Sequence, residues 1–464
     1  MKFLVKHNTI PHFFYSWIIT VCACGLLVVW PLRDILFLRH LLLLLGSIAS
    51  LPIIFSLLEL KNLKAIPLIV LGTLFVWVLI HYAFFSLDRK IELYEIKGLW
   101  VRVLAAWILA IGLAISLKRF TNLRYFFYFA TLSTSIINIA AYLHFSYLEN
   151  NWIVEFSDRT KYYFAKIEPA FFGTISMAIN CFLITNILKN KDKQNLKLGL
   201  ILIGIAIIFI SLIISRSKNG ILFSVILAAL FLSQHALEIV KKKKFQAKEL
   251  IVLSLFLVTV FSGIFAYTKT SPAGWDNFVE NVVISADIEK HRNWVNLGEP
   301  FPLNSAGETV STNLYQRISY IMAGLFLIEK YPLGLGSINN SFWKLLDIEG
   351  IDHNYYGQTH QGWIDLTLAF GLPGLGIVWT CLVMVIFFGF RGTDESSKLA
   401  GWISVTIFLM GLTSEITYKE EFEAYMFFSM FSAACLVPLR SKKVTSVFSS
   451  LSFQKAKEKL DQSN

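Results

Sequence analysis

A chain of 464 residues that is 55% hydrophobic and only 16% charged departs from soluble proteins, in which roughly 25% of residues are charged. Forty phenylalanines and a mean hydropathy of +0.60 exclude an ordinary soluble enzyme and imply an integral membrane protein. The formal charge of +11 would suit nucleic acid, but the basic residues fall in short clusters between apolar runs, as in cytoplasmic loops. Membrane lipids are therefore the expected surroundings, and nucleic acid is not an expected partner.

The apolar runs are long and continuous, which suits helices of about 20 residues crossing the hydrocarbon layer. Barrel strands would instead show alternating segments of about ten residues. Twelve spans are expected, at about 13–32, 35–58, 65–87, 99–117, 125–147, 167–188, 198–215, 220–240, 250–267, 371–390, 399–415 and 422–439. The first follows Lys2, Lys6 and His7; it is too long for a signal-peptide core and is expected to be retained. Pro52 lies inside the second, where neighbouring helices can accommodate it. Cys22, Cys24, Cys181, Cys381 and Cys435 all lie in apolar runs, with no disulfide framework or zinc spacing.

A cytoplasmic N-terminus puts Lys61 and Lys64, Lys118 to Arg124, Lys189 to Lys197, Lys241 to Lys244, and Arg391 with Lys398 on the inner face. The lysine run is expected to act as a topology signal at anionic lipid. The fold class is thus an all-α polytopic membrane protein of about twelve transmembrane helices. Spans one to nine occupy 1–267, a large, partly helical outer segment occupies 268–370, spans ten to twelve occupy 371–439, and 440–464 is a cytoplasmic tail. The outer segment is periplasmic if the host is a Gram-negative bacterium. It opens on the turn-rich Thr270-Ser271-Pro272-Ala273-Gly274. An amphipathic helix follows, capped near Ser311 or Thr312, running through Leu314, Arg317, Ile321 and Ile328, and ended by Pro332, Gly334 and Gly336. A further helix is expected to start near His360 and lead into the tenth span.

Arg216 stands in Ser215-Arg216-Ser217-Lys218-Asn219-Gly220, a short polar turn between spans seven and eight on the outer side, where it breaks the positive-inside pattern. A guanidinium there either snorkels to lipid phosphates or forms a fixed anion site. Gly220 would let a ligand approach the helix start. Arg317 lies in the first turns of the amphipathic helix, and Lys218, Arg102 and Lys97 share its side of the membrane, where they would widen a basic pocket. His360, with His291 and His353, lies in the outer segment; an imidazole suits proton transfer near neutral pH. Asp365 could orient His360 only if the helix bends. Two Asp-x-Glu pairs, Asp287/Glu289 and Asp347/Glu349, are a competing metal-site motif, and Trp275, Trp294 and Trp343 are candidates for sugar stacking or interface anchoring.

One register joins these residues. His360-Gln361, nine residues from Gly362 to Phe370, and then Gly371-Leu372-Pro373-Gly374 resemble the signature of the O-antigen ligase superfamily of bacterial membrane glycosyltransferases. His353-Asn354 misses that register because Ile364 stands where its first glycine should be. Ser215–Gly220 resembles the family's first arginine turn, and Arg317, followed by Pro332-Leu333-Gly334-Leu335-Gly336, resembles its second. The resemblance implies transfer of a completed glycan from an undecaprenyl diphosphate donor to a lipid A-core acceptor, on the periplasmic face of the inner membrane. It implies His360 as general base, inversion at the anomeric carbon, Arg216 and Arg317 on the diphosphate, and Gly371 and Gly374 as structural positions. Gln361, Lys218 and Arg102 are secondary candidates; no metal and no cofactor are expected. An O-antigen polymerase or a protein O-oligosaccharyltransferase would share donor and mechanism. A polytopic transporter or flippase is the alternative from another class, with His81 and His144 as its only ionisable candidates in the spans.

Overall fold

A computed structural model describes residues 10–32, 35–148, 167–189, 195–242, most positions of 253–265, and 277–354, 357–413 and 416–440. Among these residues the fold is helical, with two isolated β-bridges and no strand. The helices are α1 (Ile10–Val29), α2 (Leu36–Leu57), α3 (Ile66–Phe84), α4 (Arg89–Glu95), α5 (Val101–Arg119), α6 (Leu123–Leu148), α7 (Ile167–Lys189) and α8 (Asn195–Ile214). They continue as α9 (Lys218–Lys242), α10 (Phe278–Ala286), α11 (Thr312–Lys330), α12 (Ser341–Ile348), α13 (Gly362–Arg391), α14 (Glu395–Met410) and α15 (Lys419–Leu436). A π-helical turn, Ile96–Trp100, joins α4 to α5.

Nine helical stretches among the described residues are long and apolar enough to cross a membrane: α1, α2, α3, the α4–α5 run, α6, α7, α8, α9 and α13. The expected ninth span, 250–267, lies partly outside the described residues. The expected eleventh and twelfth are helices of another character. α14 has 16 residues, and α15 opens on Lys419, Glu420, Glu421 and Glu423. Every residue of α15 from Phe422 to Leu436 is buried, so this helix meets protein on all sides and needs no lipid-facing apolar stripe. Phe427 and Phe431 stack against each other, Phe431 also meets Phe127, and Trp30 packs edge-on against Phe427. The expected inner-loop residues Lys64, Lys118 and Arg124 gather at one end of the bundle, where they line a cavity of about 400 Å³ with Asp394 and Glu395.

At the other end sits the polar segment. The expected amphipathic helix is α11, and Ser311 precedes it without a side-chain capping bond. Tyr315, Tyr320, Ala323 and Leu327 of α11 form a second core with Phe342, Leu345 and Leu346 of α12, and with Ile364 and Leu368 of α13. The first turns of α13 therefore belong to this core and to the main one, in which Trp363, Leu366 and Phe370 are buried.

α13 is broken at Gly371, whose φ of 69° and ψ of −178° leave the helical region. Pro373 has no N–H for the Ala369 carbonyl. The lost helical bonds are replaced from two other segments. Leu335 N–H donates to Leu368 O at 2.8 Å, Gly336 N–H to Ala369 O at 2.7 Å, and the Trp77 indole to Phe370 O at 2.7 Å. Leu372 N–H in turn donates to Pro332 O at 2.8 Å. The chain of 332–336 crosses the break so closely that a Cβ on Gly371 would fall 2.5 Å from the Leu333 backbone. Gly374 leaves room for the Phe370 side chain at the same bend. Gly371→Ala should therefore lower stability by about 2–3 kcal/mol, through both the positive φ and the clash. Gly376→Ala, whose added methyl meets nothing within 4 Å, should stay within about 1 kcal/mol of the parent. Thermal midpoints in detergent separate the two; equal midpoints would contradict this account of the break.

Candidate functional site

His360 closes the loop that leads into α13. It is half-buried and left-handed, with φ of 58°. The turn is held from within the chain. Asp365, fully buried one turn into α13, accepts the Thr359 N–H at 3.0 Å and the Thr359 hydroxyl at 2.7 Å through Oδ1. The Thr359 hydroxyl oxygen also accepts the Gln361 N–H at 3.3 Å. Asp365 thus acts on the residue before His360, through a hydrogen-bonded turn, and the bend at Gly371 lies further along the helix. Gln361 occupies the cap position of α13 in extended conformation, with no side-chain capping bond.

α11 lies against this turn. A Cβ on Gly324 would strike Ile364 and come 3.3 Å from Thr359, so the missing side chain sets the approach of the two elements. One turn before it, the Tyr320 ring faces His360 with centroids 5.9 Å apart and planes at 32°. Arg317, half-buried, stands three residues before Tyr320, which puts both on one helix face. Arg317 therefore lies on the side of α11 from which Tyr320 meets the His360 ring. Sequence reasoning passed over Tyr320, although its i+3 spacing from Arg317 was readable.

The Arg216 turn has its own construction. Arg216 N–H bonds to Ile213 O at 2.9 Å and Ser217 N–H to Leu212 O at 3.0 Å, the pair of bonds of a Schellman C-terminus. Arg216 holds the left-handed position, φ 50°, which glycine normally fills. Ser217 then caps α9 by accepting the Gly220 N–H at 3.3 Å. Beneath the turn, Asn138 donates to the Ser215 hydroxyl at 2.8 Å. Gly220 does not open the turn to a ligand. Its absent side chain is replaced by Leu212, Ser217 and Ala170, with Leu212 only 2.5 Å from where a Cβ would be. Arg216 and Lys218 are both exposed.

The two turns share an anchor. Asn219 donates to Thr413 O at 3.4 Å, and Trp363 N–H donates to Gly411 O at 2.9 Å. The loop 411–413 after α14 therefore binds the start of α9 and the start of α13, placing Arg216 and His360 at the same end of the bundle. Among the described residues, the non-glycine positions with positive φ are Arg216, His360 and three asparagines. Asparagine and, less often, histidine tolerate that region; an arginine there is strained, as residues at functional sites often are.

Other candidates are otherwise engaged. Arg102 donates to Glu423 of α15, a buried partner, so its charge is offset. Glu349 is held by Lys330 and by the Tyr331 hydroxyl at 2.7 Å, which keep its carboxyl below the usual range. Asp347 lies 3.2 Å from His353 Nε2 and 3.8 Å from Lys344, and Asp287 caps Lys290 N–H at 3.1 Å. Among the described residues, no three His, Cys, Asp or Glu side chains gather as a metal-binding set. Trp294 is buried in the second core and donates to Ile288 O at 2.9 Å, whereas Trp343 carries the Lys344 ammonium over its ring; Trp275 lies outside the described residues. His144 is exposed on α6, and His81 is buried beside Glu92.

The site's elements coincide with a family match. Residues 203–379 match the family described as O-antigen ligase, a stretch that contains Arg216, Arg317, Tyr320, His360, Gly371 and Gly374. No curated protein matches the chain. The chain thus carries several membrane-capable helices, and its stretch 203–379 is similar to the O-antigen ligase family of membrane glycosyltransferase-like proteins.

Proposed function

We propose that the protein is an O-antigen ligase that moves a completed glycan from undecaprenyl diphosphate to the lipid A-core oligosaccharide. The observation that carries this reading is that Arg216 and His360 hold left-handed backbone at one end of the bundle, with Arg317 on the face of α11 that meets His360. In the reaction, His360 takes the proton of the acceptor hydroxyl as its oxygen attacks the anomeric carbon from the side opposite the diphosphate. The sugar–phosphate bond breaks, its electron pair leaves with undecaprenyl diphosphate, and the anomeric carbon is inverted. Arg216 and Arg317 bind phosphate oxygens bidentately and offset the charge that grows on them, so the step needs no metal. Lys218, exposed beside Arg216, adds charge at the donor. The site end of the bundle, with the segment 268–370, faces the periplasm; both termini face the cytoplasm, in the inner membrane.

Purified protein in lipid vesicles, given lipid-linked glycan and a lipopolysaccharide lacking O-antigen, should join the two. His360→Ala should slow that transfer by about 10²–10⁴-fold, the usual worth of a general base; transfer at the parent rate would remove His360 from the mechanism. A polymerase would lengthen the lipid-linked glycan instead, and an oligosaccharyltransferase would need a protein acceptor. EDTA should leave the rate intact, and a loss restored by Mg²⁺ or Mn²⁺ would contradict the arginine-based chemistry.

Strain predicts an opposite pair of effects at Arg216. Arg216→Gly should raise stability by about 0.5–1 kcal/mol, because glycine carries no Cβ penalty in the left-handed region, while glycan transfer collapses. A thermal scan beside the transfer assay reads both. A fall in both would mean that Arg216 is structural.

A further inference from the structure

Two carboxylates lie behind the segment that crosses the break in α13. Glu95, 4% exposed at the end of α4, accepts the Ser337 hydroxyl, the Ile338 N–H at 2.7 Å and the Asn339 N–H at 3.2 Å. Glu92, one turn earlier and fully buried, holds Oε1 2.9 Å from Nδ1 of the equally buried His81. Gly336 has no side chain at the place where the Glu92 carboxyl lies. Glu92 Oε2 and His81 Nε2 have no hydrogen-bond partner among the described residues. The π-helical turn follows Glu95 directly and shifts the helix phase. Beyond it, Trp100 packs on Phe370 and Phe422, with ring centroids 5.3 and 5.8 Å away.

We infer that Glu95, supported by the His81–Glu92 pair, is a positioning residue for the His360 site. It holds 337–339 so that 334–336 stay in register with the break at Gly371, and the break sets the direction of the half-helix that begins two residues after His360. The inference rests on the reading of His360 as the base. Burying carboxylates costs several kcal/mol unless they are hydrogen-bonded, and apolar packing would hold a loop as stably. What a carboxylate with three fixed donors adds is directional stiffness, which a catalytic constellation needs to within about 0.5 Å. Ser337, Ile338 and Asn339 all lie within four residues of Leu335 and Gly336, whose N–H groups reach the broken helix. A shift at the clamp is therefore transmitted to α13 with little slack.

The test uses the full chain in lipid vesicles, with Glu95→Ala, Glu95→Gln and Ser337→Ala. Glu95→Ala should lower kcat about ten- to a hundred-fold while the donor KM changes less than about twofold, the signature of misplacement without lost donor contacts. Glu95→Gln, which keeps an acceptor oxygen, should recover most of the rate. Hydrogen exchange is read in parallel on 332–340 and 362–372, and should quicken in Glu95→Ala. That readout needs no activity: if His360→Ala proved fully active, exchange would still judge the clamp. Parent kcat in Glu95→Ala with His360→Ala inactive would overturn the clamp alone. Should Glu95→Ala fail to fold, Ser337→Ala must show the same kcat loss and faster exchange in smaller measure. Unchanged values in Ser337→Ala would overturn the inference.

Discussion

The carbonyls of Leu368, Ala369 and Phe370 find their donors outside α13, from Leu335, Gly336 and the Trp77 indole. In a membrane-embedded bundle an unmet backbone group costs several kcal/mol, so this exchange obliges α3 and the segment 332–336 to stay where they are. The direction of α13 before and after Gly371, the seat of α11 on Thr359 and Ile364, and the second core all follow from it. Helix interruptions of this kind are tolerated where protein re-satisfies the freed groups. Here the re-satisfaction comes from a stretch that leads directly from α11 to α12.

A second theme is strain held by hydrogen bonds. Arg216 forgoes about 1–2 kcal/mol by standing in the left-handed region, which His360 also occupies at a smaller cost. Local polar contacts restrain both turns: Asp365 through Thr359 for one, the Schellman bonds with Asn138 below Ser215 for the other. The loop 411–413 then binds the two turns to each other. A side chain carried on such a turn has few alternative directions, which suits a group that must meet a reacting atom.

Charge at this end of the bundle is largely balanced. Arg39 donates to Glu420 at 2.8 Å and to Leu32 O at 3.1 Å, and Arg102 is matched by Glu423. The acidic opening of α15 thus answers arginines on α2 and α5, which explains why a buried central helix begins with such a sequence. Counting basic residues overstates the positive charge offered to a ligand. Arg102 illustrates this: its charge was readable, but its partner lies 321 residues away in the chain. Arg216 has no acidic residue in its turn and stays exposed.

The chain by itself determined what depends on local order. Long apolar runs require helices in a bilayer because backbone groups must bond within the segment, and the run of Thr312–Lys330 declares its amphipathic face. The spacing of His360, Gly371 and Gly374 was legible for the same reason, since a helix break is written in adjacent residues. Tertiary structure decided the rest. Whether the acid-led stretch from Lys419 lies against lipid or inside protein depends on its neighbours, and here burial on all sides removes the need for a lipid-facing stripe. The seat of Glu95 on Ile338, 243 residues apart, and of Tyr320 on His360 depends on which surfaces meet. Such contacts carry no local signature, because periodicity states which face of a helix is buried and not what buries it.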